Sequence, residues 1–207
     1  MNRPSKRNKL KTKEDLTNAV SEMIRKGFIS FNASAITNSI DRDHKVLPHH
    51  FKSLNNLIKT FISDRDYWYK LFEKYALPPH PGSEDLKNMF INIMDENFDI
   101  FSSDAEMQNI IRWQISDRNP TLKEVSDTRE KEAEGIFKLT DPFFNREDVD
   151  IRAIMALLIG GVYYIVLHSV TNQSTVCGID INESKDRDAV TRSIRQVISW
   201  AWNGRQP

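Results

Sequence analysis

Three short helix signals within residues 16–51 constrain the fold more than anything else in this chain. Leu16, Ala19, Val20, Met23 and Ile24 recur with a 3.6-residue period, the mark of an amphipathic helix. Gly27 stands where such a helix would end, because a C-terminal cap favours a residue that tolerates positive φ. Asn32 can cap a second helix through Ile36 to Ile40, and Asp43 can cap a third that closes on Phe51. Ahead of them, residues 3–13 contain no acid. Short helices behind a basic arm predict a helix-turn-helix, and that points to DNA. The arm itself, 1–12, is polar and poor in apolar residues, so it is expected to be unfolded when free.

Charge supports the same division. The chain is neutral overall, with 29 Lys/Arg against 29 Asp/Glu. Residues 1–52 hold 11 Lys/Arg and 5 Asp/Glu, which leaves 18 against 24 for the remainder. A basic N-terminal part on an acidic body suits a nucleic-acid partner at one end only. The lone Cys177 excludes an intrachain disulfide and a Cys-rich zinc site, which fits a cytoplasmic protein. No apolar core follows the charged N-terminus, so no secretory signal is expected. The longest apolar run, 153–167, is shorter than the roughly 20 residues that span a bilayer, so no membrane partner is expected.

The rest of the chain reads as helix. Ser53 can cap a fourth helix with Leu57, Phe61, Trp68, Leu71 and Phe72 among its apolar positions. Pro78, Pro79 and Pro81 stop it and mark a domain transition. Further helices are predicted from Ser83 or Glu84, from Asp104, from Pro120 to about Leu139, from Asp148 or Asp150 to about Val170, and from Asp186 to Trp202. Residues 141–147 read as a connection and 171–185 as a loop, in which only 174–181 has any strand character. Seven glycines and eight prolines are too few for a turn-rich β fold, so the expected class is all-α. The expected domains are a helix-turn-helix with its arm over 1–52, a connecting helix over 53–76, and a ligand-binding and dimerisation domain over 77–207.

The segment 151–170 is apolar on every side. Ile154, Leu158, Val162 and Ile165 form one face, and Met155, Ile159, Tyr163 and Val166 another. Such a helix must be covered all round. The terminal helix adds Ile194, Val197 and Ile198, flanked by Trp200 and Trp202. Together the two helices predict a homodimer surface, a four-helix contact about a twofold axis. The other possibility is a single central helix wrapped by its neighbours within one chain.

The spacing of three anchors resembles the TetR family of bacterial transcriptional regulators. Family members commonly show a Gly-aromatic pair, an Ile nine residues after the Gly, and a Phe fifteen after the Ile. Gly27-Phe28, Ile36 and Phe51 fall at that spacing without a gap. The family's segment around this Phe, usually aromatic-aromatic-His before it and Lys-Ser-Lys after it, is represented by Pro48-His49-His50-Phe51-Lys52-Ser53-Leu54. Departures are Thr37 for a small residue, Asp41 for the turn glycine, Arg42 for the apolar residue after it, Pro48 for an aromatic, and Leu54 for the second Lys. Pro48 removes a backbone donor and opposes the carbonyl of His44, so the third helix is expected to bend or to stop after one turn. More loosely, RWQISDRNPTLKEVSDTREKEAEGIF, followed by ALLIGGVYYIVLHS, looks like the regulatory domain of some TetR relatives.

In a helix-turn-helix the second helix of the motif enters the major groove, here about Asp43 to Phe51. His44 and Lys45 at its start are candidates for base edges, and Arg42 for a guanine or a phosphate. His49, His50 and Lys52 match family positions that meet phosphates. Asn32, at the amino end of the second helix, is placed for another phosphate, and Arg3, Lys6 and Arg7 can track the backbone or enter a minor groove. The resemblance also implies an effector pocket in the second domain. Phe90, Met94, Phe98, Trp113, Phe137, Tyr163 and Tyr164 are candidate wall residues for a small apolar or aromatic effector. No glycine-rich phosphate loop, nucleophile elbow or zinc signature is present, so no enzyme, cofactor or metal is expected. His44, His49 and His50 do not share a helical face and make a poor metal set. Two functions follow: a ligand-responsive, homodimeric repressor on double-stranded operator DNA, or a helical binding or scaffold protein of the same fold that has lost sequence-specific recognition.

Overall fold

The computed structural model describes residues 6–27, 32–144 and 149–204. Among these, the chain forms ten α-helices: α1 (Lys6–Arg25), α2 (Ala33–Ser39), α3 (Val46–Phe51), α4 (Leu54–Arg65), α5 (Trp68–Lys74), α6 (Ser83–Ser103), α7 (Ala105–Ser116), α8 (Pro120–Thr140), α9 (Ile151–Asn172) and α10 (Ser184–Asn203). A short 3₁₀ turn covers Asp141–Phe143. The described residues hold no strand beyond an isolated bridge between Val176 and Ile179. The fold is all-α. Two compact units divide it: residues 1–66 with 105–127, and residues 67–104 with 128–207. The division falls inside α8.

Capping chemistry sets several of these boundaries. Asn32 Oδ1 accepts from the Ala35 N–H at 2.7 Å, Ser53 Oγ from Asn56 at 3.2 Å, and Asp150 Oδ1 from Ala153 at 3.0 Å. At the start of α6 the Gly82 N–H donates to Asp85 Oδ2. Gly27 closes α1 at φ +79°, with its N–H on the Ile24 carbonyl. Pro120 opens α8, where its missing donor costs nothing. Phe28 and Asp148 lie outside the described residues.

The expected unfolded arm is instead helical from Lys6. A buried stripe of Leu16, Val20 and Ile24 nucleates α1, and Lys, Arg and Leu propagate a helix readily once it has started. The expected single fourth helix is broken into α4 and α5 at Asp66, whose ψ of 110° is extended. The first unit is also larger than residues 1–52. Its core joins Leu16, Val20, Ile36, Leu47, Leu57 and Phe61 to Met107, Ile110, Ile111 and Trp113 of α7.

The turn before α3 adapts to its departures. Asp41 takes the left-handed conformation at φ 51°, which Asp tolerates better than most residues. Asp43 does not cap α3. Its carboxylate accepts from the Lys45 N–H at 2.8 Å and its carbonyl from Val46 at 3.0 Å, a tight turn that starts the helix later. Pro48 therefore lies in the first turn, where an N–H has no intrahelical acceptor to lose. Pro48 thus takes no backbone hydrogen bond away from α3, and the helix continues to Phe51 rather than stopping after one turn. Replacing Pro48 by Ala should change stability by less than about 1 kcal/mol. An interior proline would instead give a gain of about 3 kcal/mol in chemical denaturation.

Candidate functional site

The first candidate site is the outer side of α3. Leu47 and Phe51, four residues apart, are buried, and the Lys13 ammonium lies 5.5 Å from the centre of the Phe51 ring. Rooting these two residues turns the polar positions outward. Arg42, His44, Lys45, His49 and Lys52 are exposed, and His50 is half-buried. His44 Nδ1 is 3.6 Å from Asp43 Oδ1. Lys52, at φ 67°, ends the helix with its N–H on the Pro48 carbonyl. The structure thus brings six of the expected DNA-contacting residues onto one short element and its leading turn. Asn32 is exposed, with its carboxamide oxygen already occupied as the α2 cap. Arg3 lies outside the described residues, and Lys6 and Arg7 sit in the first turn of α1 with side chains outside the description.

The second candidate site is a cavity of about 420 Å³ in the second unit. Four helices line it through regular spacing. Trp68 and Phe72 come from α5, and Phe90 and Ile93 from α6. The α8 wall is Arg129, Glu130, Ala133, Ile136 and Phe137, and the α9 wall is Arg152, Met155, Ala156, Ile159 and Tyr163. The volume falls in the range of small-molecule sites, and the walls are mostly apolar and aromatic. The Trp68 indole N–H donates to the Tyr163 hydroxyl at 3.0 Å, joining α5 to α9 across the wall. Phe90 and Phe137 stand 5.5 Å apart, with the Arg152 guanidinium 5.2 Å from the Phe137 ring and 3.2 Å from Asp141.

Of the expected wall residues, Phe90, Phe137 and Tyr163 line this cavity. Four do not. Met94 and Phe98 are fully buried core, with Phe98 beneath the Arg187 guanidinium. Trp113 belongs to the first unit, where its indole N–H donates to Asp117. Tyr164 points outward and stacks on His168 at 5.5 Å. The missed residues Trp68, Phe72, Met155 and Ile159 lie on apolar stripes at i, i+4 spacing. Nothing in sequence alone says which stripes face one another.

The other face of α9 meets α10 along an apolar groove. Leu158, Val162, Ile165, Ile194 and Val197 line it together with Leu157, which is 76% exposed. Ile154 is half-buried, Trp200 is 63% exposed, and Ile198 is buried. Trp202 is core of its own chain rather than surface. Its indole N–H donates to the Ser83 carbonyl at 2.9 Å, and its ring lies 4.8 Å from Phe144 and 5.7 Å from Phe90. As a 22-residue helix, α9 is longer than its apolar run suggested, and by length and composition alone it would be long enough to cross a membrane, as the core helix of a soluble protein also can be.

No protein-family model and no curated protein matches the chain. Among solved structures, a transcriptional regulator FadR from Bacillus subtilis, in complex with stearoyl-CoA, is similar to it with a TM-score of 0.61. Identity is 13%, over 92% of this chain and 98% of that one. The all-α fold described above is accordingly one that this chain shares with that structure. Replacing Trp68 by Phe should cost about 1 kcal/mol by deleting the indole donor to Tyr163. Thermal denaturation checks this, and an unchanged midpoint would mean that the wall bond contributes nothing.

Proposed function

We propose that this protein is a divergent TetR-family repressor: a homodimer that binds double-stranded operator DNA through its two α2–α3 heads and releases it when a small apolar or aromatic effector fills the cavity. The observation that carries this reading is the outer side of α3. Two buried anchors hold a six-residue helix so that Arg42, His44, Lys45, His49 and Lys52 all face solvent. Five basic or imidazole side chains, with Pro48 the exposed apolar residue of α3 beside them, suit phosphate and base edges better than a protein partner. The departures at Asp41 and Pro48 leave the helix intact, which favours a working reader over a scaffold that has lost recognition.

The dimer reading rests on α9 and α10. Leu157, Tyr164, Val170 and Trp200 are large apolar or aromatic residues left exposed on one chain, and the groove beside Leu157 gives a second copy something to fill. The effector reading rests on the cavity walls. The FadR structure holds stearoyl-CoA, and an effector with an apolar body fits the aromatic lining here. Coupling follows from linkage: an effector that prefers a dimer state with mismatched head spacing lowers operator affinity by the same factor that operator lowers effector affinity. Because α8 belongs to both units, its cavity wall and its buried Leu122 and Val125 lie on one continuous helix.

An electrophoretic shift with DNA from upstream of the protein's own gene tests the reading. Binding is expected at low salt and should weaken steeply at moderate salt. Replacing both His44 and Lys45 by Ala should alter base preference, at about 1–3 kcal/mol for each lost base contact, while low-salt binding persists. An unchanged base preference would favour the scaffold.

A further inference from the structure

A cleft of about 390 Å³ lies between the first two turns of α1 and the region of α3. Asn8, Lys9, Lys11 and Thr12 line it from α1, and Arg42, His49 and His50 line it from the turn and α3. Every lining residue is polar, five are basic or imidazole, and none is a carboxylate. The His49 and His50 rings stand edge to face at 5.0 Å. Lys13, seated over Phe51, holds α1 against α3 and adds a further positive charge nearby.

Cations gathered in this way repel one another, and nothing in the lining relieves the repulsion. An anion in the cleft would relieve it and accept several charge-assisted hydrogen bonds at once. We propose that this cleft is a phosphate-binding site, formed by Lys9, Lys11, Arg42 and the His49–His50 pair, that engages the nucleic-acid backbone and makes its affinity rise as pH falls. The proposal rests on the DNA-binding reading above and adds to it a second wall, from α1, and a proton.

The proton belongs to His50. Burial pushes its pKa below the usual imidazole value, and His49, Lys13 and Lys9 push it further down. The groups facing it are Lys9, Lys11 and Lys13 from α1 and Arg42 and His49 from its own side. Helix α4, also packed on α3, adds no lining residue to the cleft. His50 is therefore neutral in the free protein near pH 7. A phosphate beside it favours the charged ring and raises its pKa, so binding takes up a proton between the free and bound values. Affinity is highest below the free value and falls as pH rises towards the bound one.

The test is fluorescence anisotropy of the full chain with a labelled mixed-sequence duplex at low salt, from pH 5.5 to 8. Wild-type affinity should fall with rising pH, by at most roughly tenfold per pH unit for one linked proton. His50→Gln should flatten that profile. Lys9→Ala with Lys11→Ala should weaken binding at every pH and reduce the salt slope by about one, while Lys185→Ala, outside the cleft, should do neither. In a second arm, inorganic phosphate at pH 6 should shift the His49 and His50 proton resonances, and this shift should vanish in the Lys9/Lys11 variant. Phosphate-induced shifts without duplex binding would keep the cleft and overturn the DNA reading. Duplex binding that is indifferent to pH and to the Lys9/Lys11 change would overturn the cleft and leave the DNA reading standing. Wild-type protein that binds neither overturns both.

Discussion

Residues 1–52 form only a small core of their own, and Glu106 is where their first helix is fastened to α7 of the same unit. Its side chain is 7% exposed, and Oε2 lies 3.5 Å from Arg25 Nη2 and 3.5 Å from Arg65 Nε. Arg25 is in the last turn of α1, Arg65 in the last turn of α4, and Glu106 in the first turn of α7. Each charge thus sits at the helix end whose dipole favours it, and the one carboxylate between the two guanidiniums offsets their mutual repulsion. Asn109 adds a donor to the Ile24 carbonyl at 2.9 Å. With α1 and α4 held in this way, Leu47 and Phe51 have a fixed surface to sit on, and the polar side of α3 has a fixed direction.

Helix α9 settles a different problem. A helix apolar on two faces needs two partners, and it finds one kind of surface for each. Met155, Ile159 and Tyr163 face the cavity, while Leu158, Val162 and Ile165 face the groove shared with α10. The same element therefore borders the proposed effector site on one side and the proposed dimer contact on the other. A ligand that changes the packing of the first face acts on a helix that also carries the second, which gives the proposed coupling a physical basis.

Much of this was legible in the sequence wherever a local chemical rule decides the outcome. The caps at Asn32, Ser53 and Asp150, the glycine at 27 and the proline at 120 act through neighbours a few residues away. The split at Asp66 carries no glycine or proline to announce it, and the periodicity of Leu57, Phe61, Trp68 and Leu71 runs straight across it. Pro48 was visible, but its consequence depends on where α3 begins, and the Asp43 turn sets that. The cavity was the least legible part. Met94, Phe98 and Trp113 differ from Phe90 and Phe137 only in which neighbour they meet, and long-range packing decides that. The cleft beside His50 needs α1 and α3 side by side, so no stretch of sequence contains it.

Recognition of DNA by two heads of one dimer is the central proposal. Selection of genomic fragments by the purified full-length protein, followed by footprinting, tests this most directly. The expected result is enrichment of a common sequence with two inverted half-sites whose centres lie about one helical turn, or a multiple of it, apart. Fragments retained without any shared sequence, or not retained at all, would contradict it.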